Sequence, residues 1–364
     1  MEKIDLESLI KINKIIERDK LSSSYKLALL KSTIFTIQKY EHHLILGEVK
    51  IKIPFFFVIE QWFFDYLPFI INNIRQQHSR DLILNKPLEK LYNEFLDTFK
   101  FKDNTWQEKY AEIYKSYFNN RLSKEQKKLI HKLFTKIKET IKNNPMKYIG
   151  DEHYEIFSLD NSKSKKINNF SRNNFKDYGY FYIAKDVYNI FKYMGDNLFG
   201  INTIIYRWSQ MTIKLNNYLS SNKVNLLITH NITDIIRDTS QIRKFFKNKD
   251  VFCVWSGKKL KDYDVDHLIP FSIYYNNDLW NLLPSNSKIN SNKSDKIPTP
   301  QLIEDSKERI IKYWKLYQNE FSYFKEQREI SLGNCKDDNE YIEAFKKKCE
   351  FLIEKRGYVA FEIK

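Results

Sequence analysis

The sequence predicts an α+β protein that is predominantly α-helical and carries one small β-containing insert. Three observations support this. Apolar residues recur at three- and four-residue spacing through most of the chain. A short β-branched and aromatic run, Val251-Phe252-Cys253-Val254-Trp255, is followed by the turn residues Ser256 and Gly257. No internal repeat, heptad array or Gly-rich phosphate loop interrupts the pattern.

Residues 4–18 and 23–40 read as helices. Ser22 to Ser24 can cap the second, whose Leu27, Leu30, Ile34 and Ile37 share a face. His42 and His43 are adjacent, so on a helix they diverge and read as surface residues. Pro54 suits the start of a third helix bearing Phe57, Trp62 and Tyr66, and Pro68 is expected to kink or end it. Ile51–Ile71 is the most apolar run, but Lys52, Pro54, Glu60, Gln61, Asp65 and Pro68 interrupt it. It therefore reads as a buried helix, not a membrane span.

The pattern over 122–144 is the clearest helix. Ser123 precedes Glu125 and Gln126, and Ile130, Leu133, Phe134, Ile137 and Ile141 form one stripe. Residues 158–176 are polar and read as a linker or loop. Its Lys163, Lys165, Lys166, Arg172 and Lys176 read as a solvated cluster that could also touch a nucleic-acid backbone. Helical pattern resumes at 185–194, 201–219 and 232–247, with His230 read as structural. Thr299-Pro300 starts a helix expected to run past Trp314, Phe321 and Phe324, and a last helix at about 338–356 ends at Gly357. The expected organisation is an N-terminal helical domain (1–157), the linker (158–176), a second helical segment (177–247), the β-containing module (248–298) and C-terminal helices (299–364).

Composition bounds the function. Of 364 residues 42 % are apolar, enough for substantial cores. The 27 Phe, 24 Tyr and 6 Trp read first as core fillers, with base stacking by a few as the minority reading. A net charge of +15 favours polyanions as partners. Three scattered cysteines, Cys253, Cys335 and Cys349, argue against a disulfide scaffold and for a reducing compartment. With no signal-peptide pattern, a cytoplasmic location is expected.

Chemistry concentrates in residues 263–298. Residues 251–255 and Tyr263–Leu268 read as paired strands. Alternation along the second puts Asp264 and Asp266 on one face and His267 on the other. Ser285–Lys293 reads as a short helix with Asn286, Asn290 and Lys293 along one face, and Asn292 turned away. Asp and Asn oxygens suit Mg²⁺ or Mn²⁺, and a neutral imidazole beside such an ion is a usable base. Together they suit phosphodiester hydrolysis.

Asp266-His267, Asn281 and Asn290, followed by Lys293-Ser294-Asp295, resemble the ββα-metal fold of HNH endonucleases. The asparagines lie fourteen and twenty-three residues beyond the histidine. The stretch is similar to the HNH nuclease domain of RNA-guided CRISPR effectors, sharing its Asp-Val-Asp-His opening and Lys-Ser-Asp close. The helical flanks resemble bacterial HNH proteins of restriction or anti-phage loci.

The resemblance implies His267 as general base, Asp266 and Asn290 as metal ligands, and Asn281 as the brace of the histidine's loop. It implies Lys293 as a phosphate contact, and Mg²⁺ or Mn²⁺ as the ion. The products would carry 5′-phosphate and 3′-hydroxyl ends, the substrate would be DNA, chiefly double-stranded, and a defence-system protein could be a partner. Asp264 is an accessory ligand candidate, and Lys258, Lys259, Lys288 and Lys296 are candidate backbone contacts. Many such proteins hold a structural zinc on two Cys-x-x-Cys knuckles. Here those positions read Cys253, Ser256, Asn286 and Ile289, so no structural zinc is expected and flanking helices should support the insert. Two rival readings are a non-catalytic nucleic-acid-binding module on a decayed HNH scaffold and an RNA-cleaving toxin.

Overall fold

The structure is a computed structural model that describes residues 4–79, 82–160, 170–199, 204–229 and 236–363. It divides into two compact units, Met1–Ile113 with Leu122–Asn231, and Tyr114–Arg121 with Ile232–Lys364. The expected segment 177–247 is therefore split, its larger part belonging with the N-terminal helices. His230 and the lysines at 163, 165 and 166 lie outside the described residues.

The first unit is built around helix α1, Phe55–Ile71. All its residues from Phe55 to Ile70 are buried except Gln61, as befits a helix apolar around its whole circumference. Pro68 does not end it; the helix continues to Ile71. Helix Lys124–Asn143 packs on it through the predicted stripe, and its start is a full capping box between Ser123 and Gln126. Trp62 and Tyr66 meet Tyr25, and Tyr66 and Phe69 meet Trp208, so these aromatics are core.

Two features correct the sequence reading here. Lys50–Pro54 is a strand in a four-stranded antiparallel sheet with Ile45–Leu46, Ser158–Leu159 and Tyr180–Ala184, so β structure is not confined to one insert. The ends of the expected linker are integrated into this unit. Ser158–Leu159 is a sheet strand, and Arg172 is buried and forked onto Glu60 of α1, with Nε to Oε1 at 2.7 Å and Nη2 to Oε2 at 3.0 Å. Arg172 is thus not a nucleic-acid contact: a guanidinium is left under apolar cover only when its donors are matched.

The described residues of the second unit include short strand pairs and several helices. Val251–Phe252 (β1) pairs with Lys259–Leu260 (β2). Asp264–His267 (β3) pairs antiparallel with Leu282–Ser285 (β4), not with residues 251–255 as expected. The tight turn through Gly257, at φ +71°, closes the first hairpin before residue 261, which frees the next strand for another partner. Helix α2, Ser287–Lys293, follows β4, and helix α3, Pro300–Glu320, starts at the predicted Thr299 cap. The expected continuation to Phe324 breaks at Phe321, and a separate helix, Phe324–Leu332 (α4), follows. Asp338–Glu354 (α5) completes the unit, and Ala360–Phe361 pairs in parallel with Ile297–Pro298.

Helix α3 anchors the module through its main chain. Arg309 donates to the Val254 and Trp255 carbonyls at 2.6 and 3.0 Å, and Trp314 to Trp280 O at 2.9 Å. Tyr317 donates to Leu282 O at 2.8 Å. These donors satisfy one carbonyl of β4 and three in the segments next to β1 and β4, and they fix those segments against one helix.

Candidate active site

Strand β3 and helix α2 face each other across the site. The i, i+2 residues of the strand, Asp264 and Asp266, meet the i, i+3 residues of the helix, Asn290 and Lys293. Asn290 Nδ2 donates to Asp264 Oδ2 at 3.3 Å, and Lys293 Nζ donates to Asp266 Oδ1 at 3.0 Å. Asp264 is also approached by Arg243 at 3.6 Å. Asp266 is 3 % exposed and its second oxygen accepts from the Trp255 indole at 2.8 Å. Lys293 has no solvent exposure, and its ammonium donates a further bond, 2.7 Å long, to the His267 carbonyl. It therefore ties the carboxylate to the strand end instead of facing solvent as a phosphate contact.

Alternation along β3 sends the His267 ring the other way. The ring is 1 % exposed, packs edge-on to Phe271, and its Nε2 lies 3.1 Å from Asn277 Oδ1. Its Nδ1 is buried without a hydrogen-bond partner among the described residues. Burial pulls its pKa down to about 3, reinforced by the positive charges of Arg237 and Lys293 and opposed by the Asn277 bond. The imidazole is therefore neutral across the physiological range.

Asn281 is fully buried and closes the loop between β3 and β4. Its Oδ1 accepts from Ile269 N at 2.8 Å, and its Nδ2 donates to the Ile269 and Asn276 carbonyls at 3.0 and 3.3 Å. Asn286 does not share a face with Asn290. It is the N-cap of α2, accepting from Lys288 N and Ile289 N. Cys253 Sγ accepts from Asn286 N at 3.3 Å and lies 3.8 Å from Ser285 Oγ, so this knuckle position is filled by hydrogen bonding. Lys258, Lys259 and Lys288 are exposed, Lys259 in an ion pair with Asp250, while Lys296 is partly exposed and donates to Asn292 O.

Sequence reasoning missed Trp255 and Asn277. The first ends an apolar strand run and gives no sign that its indole N–H serves a carboxylate eleven residues on. The second had a signal: Asn276-Asn277-Asp278 is a polar triplet inside an apolar loop. Its outer members bond to each other and, through Ser331, to α4.

The model described as "Domain of unknown function (DUF8808)" matches residues 5–227, more than half the chain. The chain belongs to this family. A second model, HNH endonuclease, matches residues 253–299. No curated protein and no solved structure matches the chain. The DUF8808 region thus lies within the stretch that supplies most of the first unit, and the HNH domain is carried by the second. Among the described residues no helix is long and apolar enough to cross a membrane.

HNH nucleases generally use a divalent metal, which raises the question of fit. Among the described residues no group of three or more His, Cys, Asp or Glu is placed to hold an ion. The oxygen donors along this strand and helix face are the carboxylates of Asp264 and Asp266 and the carboxamide of Asn290, hard ligands of the kind Mg²⁺ accepts alongside water. Asp266 uses two of about four lone-pair positions on Trp255 and Lys293, leaving acceptor capacity. The donor chemistry therefore fits a hard divalent cation.

Proposed function

We propose that the HNH domain is a metal-dependent endonuclease acting on DNA, with His267 as general base. The observation that carries this reading is the convergence of Asp264, Asp266, Asn290 and Lys293 at the end of a strand whose last residue is a neutral histidine with one unpartnered nitrogen. Asp266 and Asn290, with Asp264 as accessory, would hold the ion. When bound, a Mg-type ion stabilises charge on the phosphoryl group and the departing oxygen.

The chain's own residues do the rest. His267 takes a proton from the attacking water, whose oxygen bonds to phosphorus as the 3′ oxygen departs with the bond's electron pair. Asn281 fixes the loop on which the ring depends. Lys293 holds Asp266 in its orientation through the 3.0 Å bond. The ring is buried, so a phosphodiester reaches it only after a local rearrangement. The basic surface supplies affinity that falls with salt. A bacterial defence or restriction setting, with an activating partner, suits a nuclease whose base is covered at rest.

Burial of both Asp266 and His267 favours one rival, a nucleic-acid-binding module on an inactive HNH scaffold. A plasmid-nicking assay in Mg²⁺ against EDTA separates the two. Nicking that needs the ion and is lost in His267→Ala supports the nuclease; no nicking with any divalent ion, alongside intact DNA binding, sinks it. Parallel reactions on single-stranded DNA and tRNA test the RNA-cleaving alternative.

A further inference from the structure

We infer that Asn277 is a positioning residue for His267: its carboxamide holds the ring proton on Nε2 and leaves Nδ1 as the basic nitrogen. The catalytic consequence rests on the nuclease reading above; the proton's location does not.

Two main-chain groups decide the orientation of the Asn277 amide. Asn277 Nδ2 donates to Ile236 O at 2.6 Å, and Asp238 N donates to Asn277 Oδ1 at 3.1 Å. Exchanging oxygen and nitrogen would set an NH₂ against the Asp238 N–H and an oxygen against the Ile236 carbonyl. Both contacts would be repulsive, so one orientation survives. The atom facing His267 Nε2 at 3.1 Å is therefore an acceptor. A neutral imidazole has one donor and one acceptor nitrogen, so the proton sits on Nε2.

The lone pair is left on Nδ1, the nitrogen that is buried without a partner among the described residues. An unmatched buried polar atom is costly and rare, and a reacting site is one reason for keeping it. Asn277 also spans residues 236 and 238, so the same amide that orients the ring pins the segment beside it. Removing the amide should therefore loosen both the ring and that segment.

The test is imidazole ¹⁵N NMR on the full-length, metal-free protein at neutral pH, with the His267 signals assigned by their loss in His267→Gln. The expected pattern is a protonated Nε2 and a lone-pair Nδ1. A proton on Nδ1 overturns the inference, whether or not the protein cuts DNA. Asn277→Leu keeps the bulk and removes the acceptor, and it should replace the single-tautomer pattern with an averaged or Nδ1–H one. Retention of the original pattern in that variant also overturns the inference. Should Asn277→Leu fail to fold, the wild-type spectrum decides alone.

In the nicking assay, Asn277→Ala should lower kcat by about tenfold to a hundredfold, the size of outer-shell effects, with KM little changed. An unchanged kcat in a wild-type-competent assay again overturns the positioning role. Absence of wild-type nicking sinks the nuclease reading instead and leaves the NMR result standing.

Discussion

The buried pair Glu60–Arg172 in the first unit and the buried pair Asp266–Lys293 in the second are alike in burial and unlike in use. Arg172 joins a helix and a short turn 112 residues apart, with a two-bond fork plus a contact from Nη2 to the Tyr40 hydroxyl. Tyr40 in turn stacks on Phe57, so the pair sits within an aromatic core. Lys293 meets Asp266 by one bond within a local module, and its other bond goes to the main chain of a histidine. The first pair is a finished structural tie. The second leaves acceptor capacity on a carboxylate, one residue before a histidine whose ring lies on the other face of the strand and whose Nδ1 has no partner among the described residues. Burial and pairing alone do not mark a site; unspent hydrogen-bonding capacity beside a base does.

The largest expected effect breaks the comparison at its chemical end. His267→Ala should lower nicking by about a hundredfold to ten-thousandfold, the range for loss of a general base. DNA binding in EDTA should stay near wild type. Equal loss of binding and cleavage would put His267 on a par with Glu60, as structure only.

The converse experiment strikes the structural pair. Arg172→Ala removes both fork bonds to the buried Glu60, and should lower the stability of the first unit by about 3–5 kcal/mol. Urea unfolding reads this, and nicking at a temperature where the variant is folded should be unchanged. A loss below about 1 kcal/mol would mean that the pair behaves like a surface bridge.

Acidification sharpens the contrast from another side. The His267 pKa, about 3 when folded, lies below its ordinary value of about 6.5. As pH falls, the unfolded chain takes up a proton first. The stability due to the neutral ring is thus complete above about pH 6.5 and declines as pH falls toward 3, by about 1.4 kcal/mol per unit within that window. Arg237, Lys293, the Asn277 amide and Asp238, bonded by its main chain, surround the ring and its strand end. Urea midpoints for wild type and His267→Gln in EDTA should converge on acidification. Parallel curves would mean that the ring is not held neutral by burial.

How much of this was readable follows from distance along the chain. Ser123 with Gln126 and Thr299 with Pro300 are local arrangements, and the spacing that predicts them is the spacing that makes them; the contact of Asn281 with its loop is also local, but its expected role came from the HNH resemblance alone. The partners of Asp266 are only partly so: Lys293 falls on the predicted helix face, whereas Trp255 arrives from a separate hairpin. Long-range matches were opaque. Nothing in residues 158–176 announces that Arg172 meets Glu60, and Lys50–Pro54 reads as a helix lead-in because its sheet partner Tyr180–Ala184 is more than a hundred residues away. The pairing of β3 was misassigned for a related reason. Adjacent runs of strand character suggest a hairpin, and only the tight turn at Gly257 uses up the nearer partner.

The smallest effect tests whether α3 does in this unit what the Glu60–Arg172 pair does in the other. Tyr317 donates to Leu282 O, the carbonyl of the residue paired with His267 in the sheet. Tyr317→Phe keeps the ring in the core and removes only the hydroxyl, so no cavity forms and the carbonyl alone is left unmatched. The expected loss is about 1–2 kcal/mol in urea unfolding, with the His267 ¹⁵N pattern retained because Asn277 is untouched. A loss with an altered His267 pattern would instead mean that the helix sets the ring's orientation through β4. The positioning role assigned to Asn277 would then be shared with a residue fifty positions beyond His267.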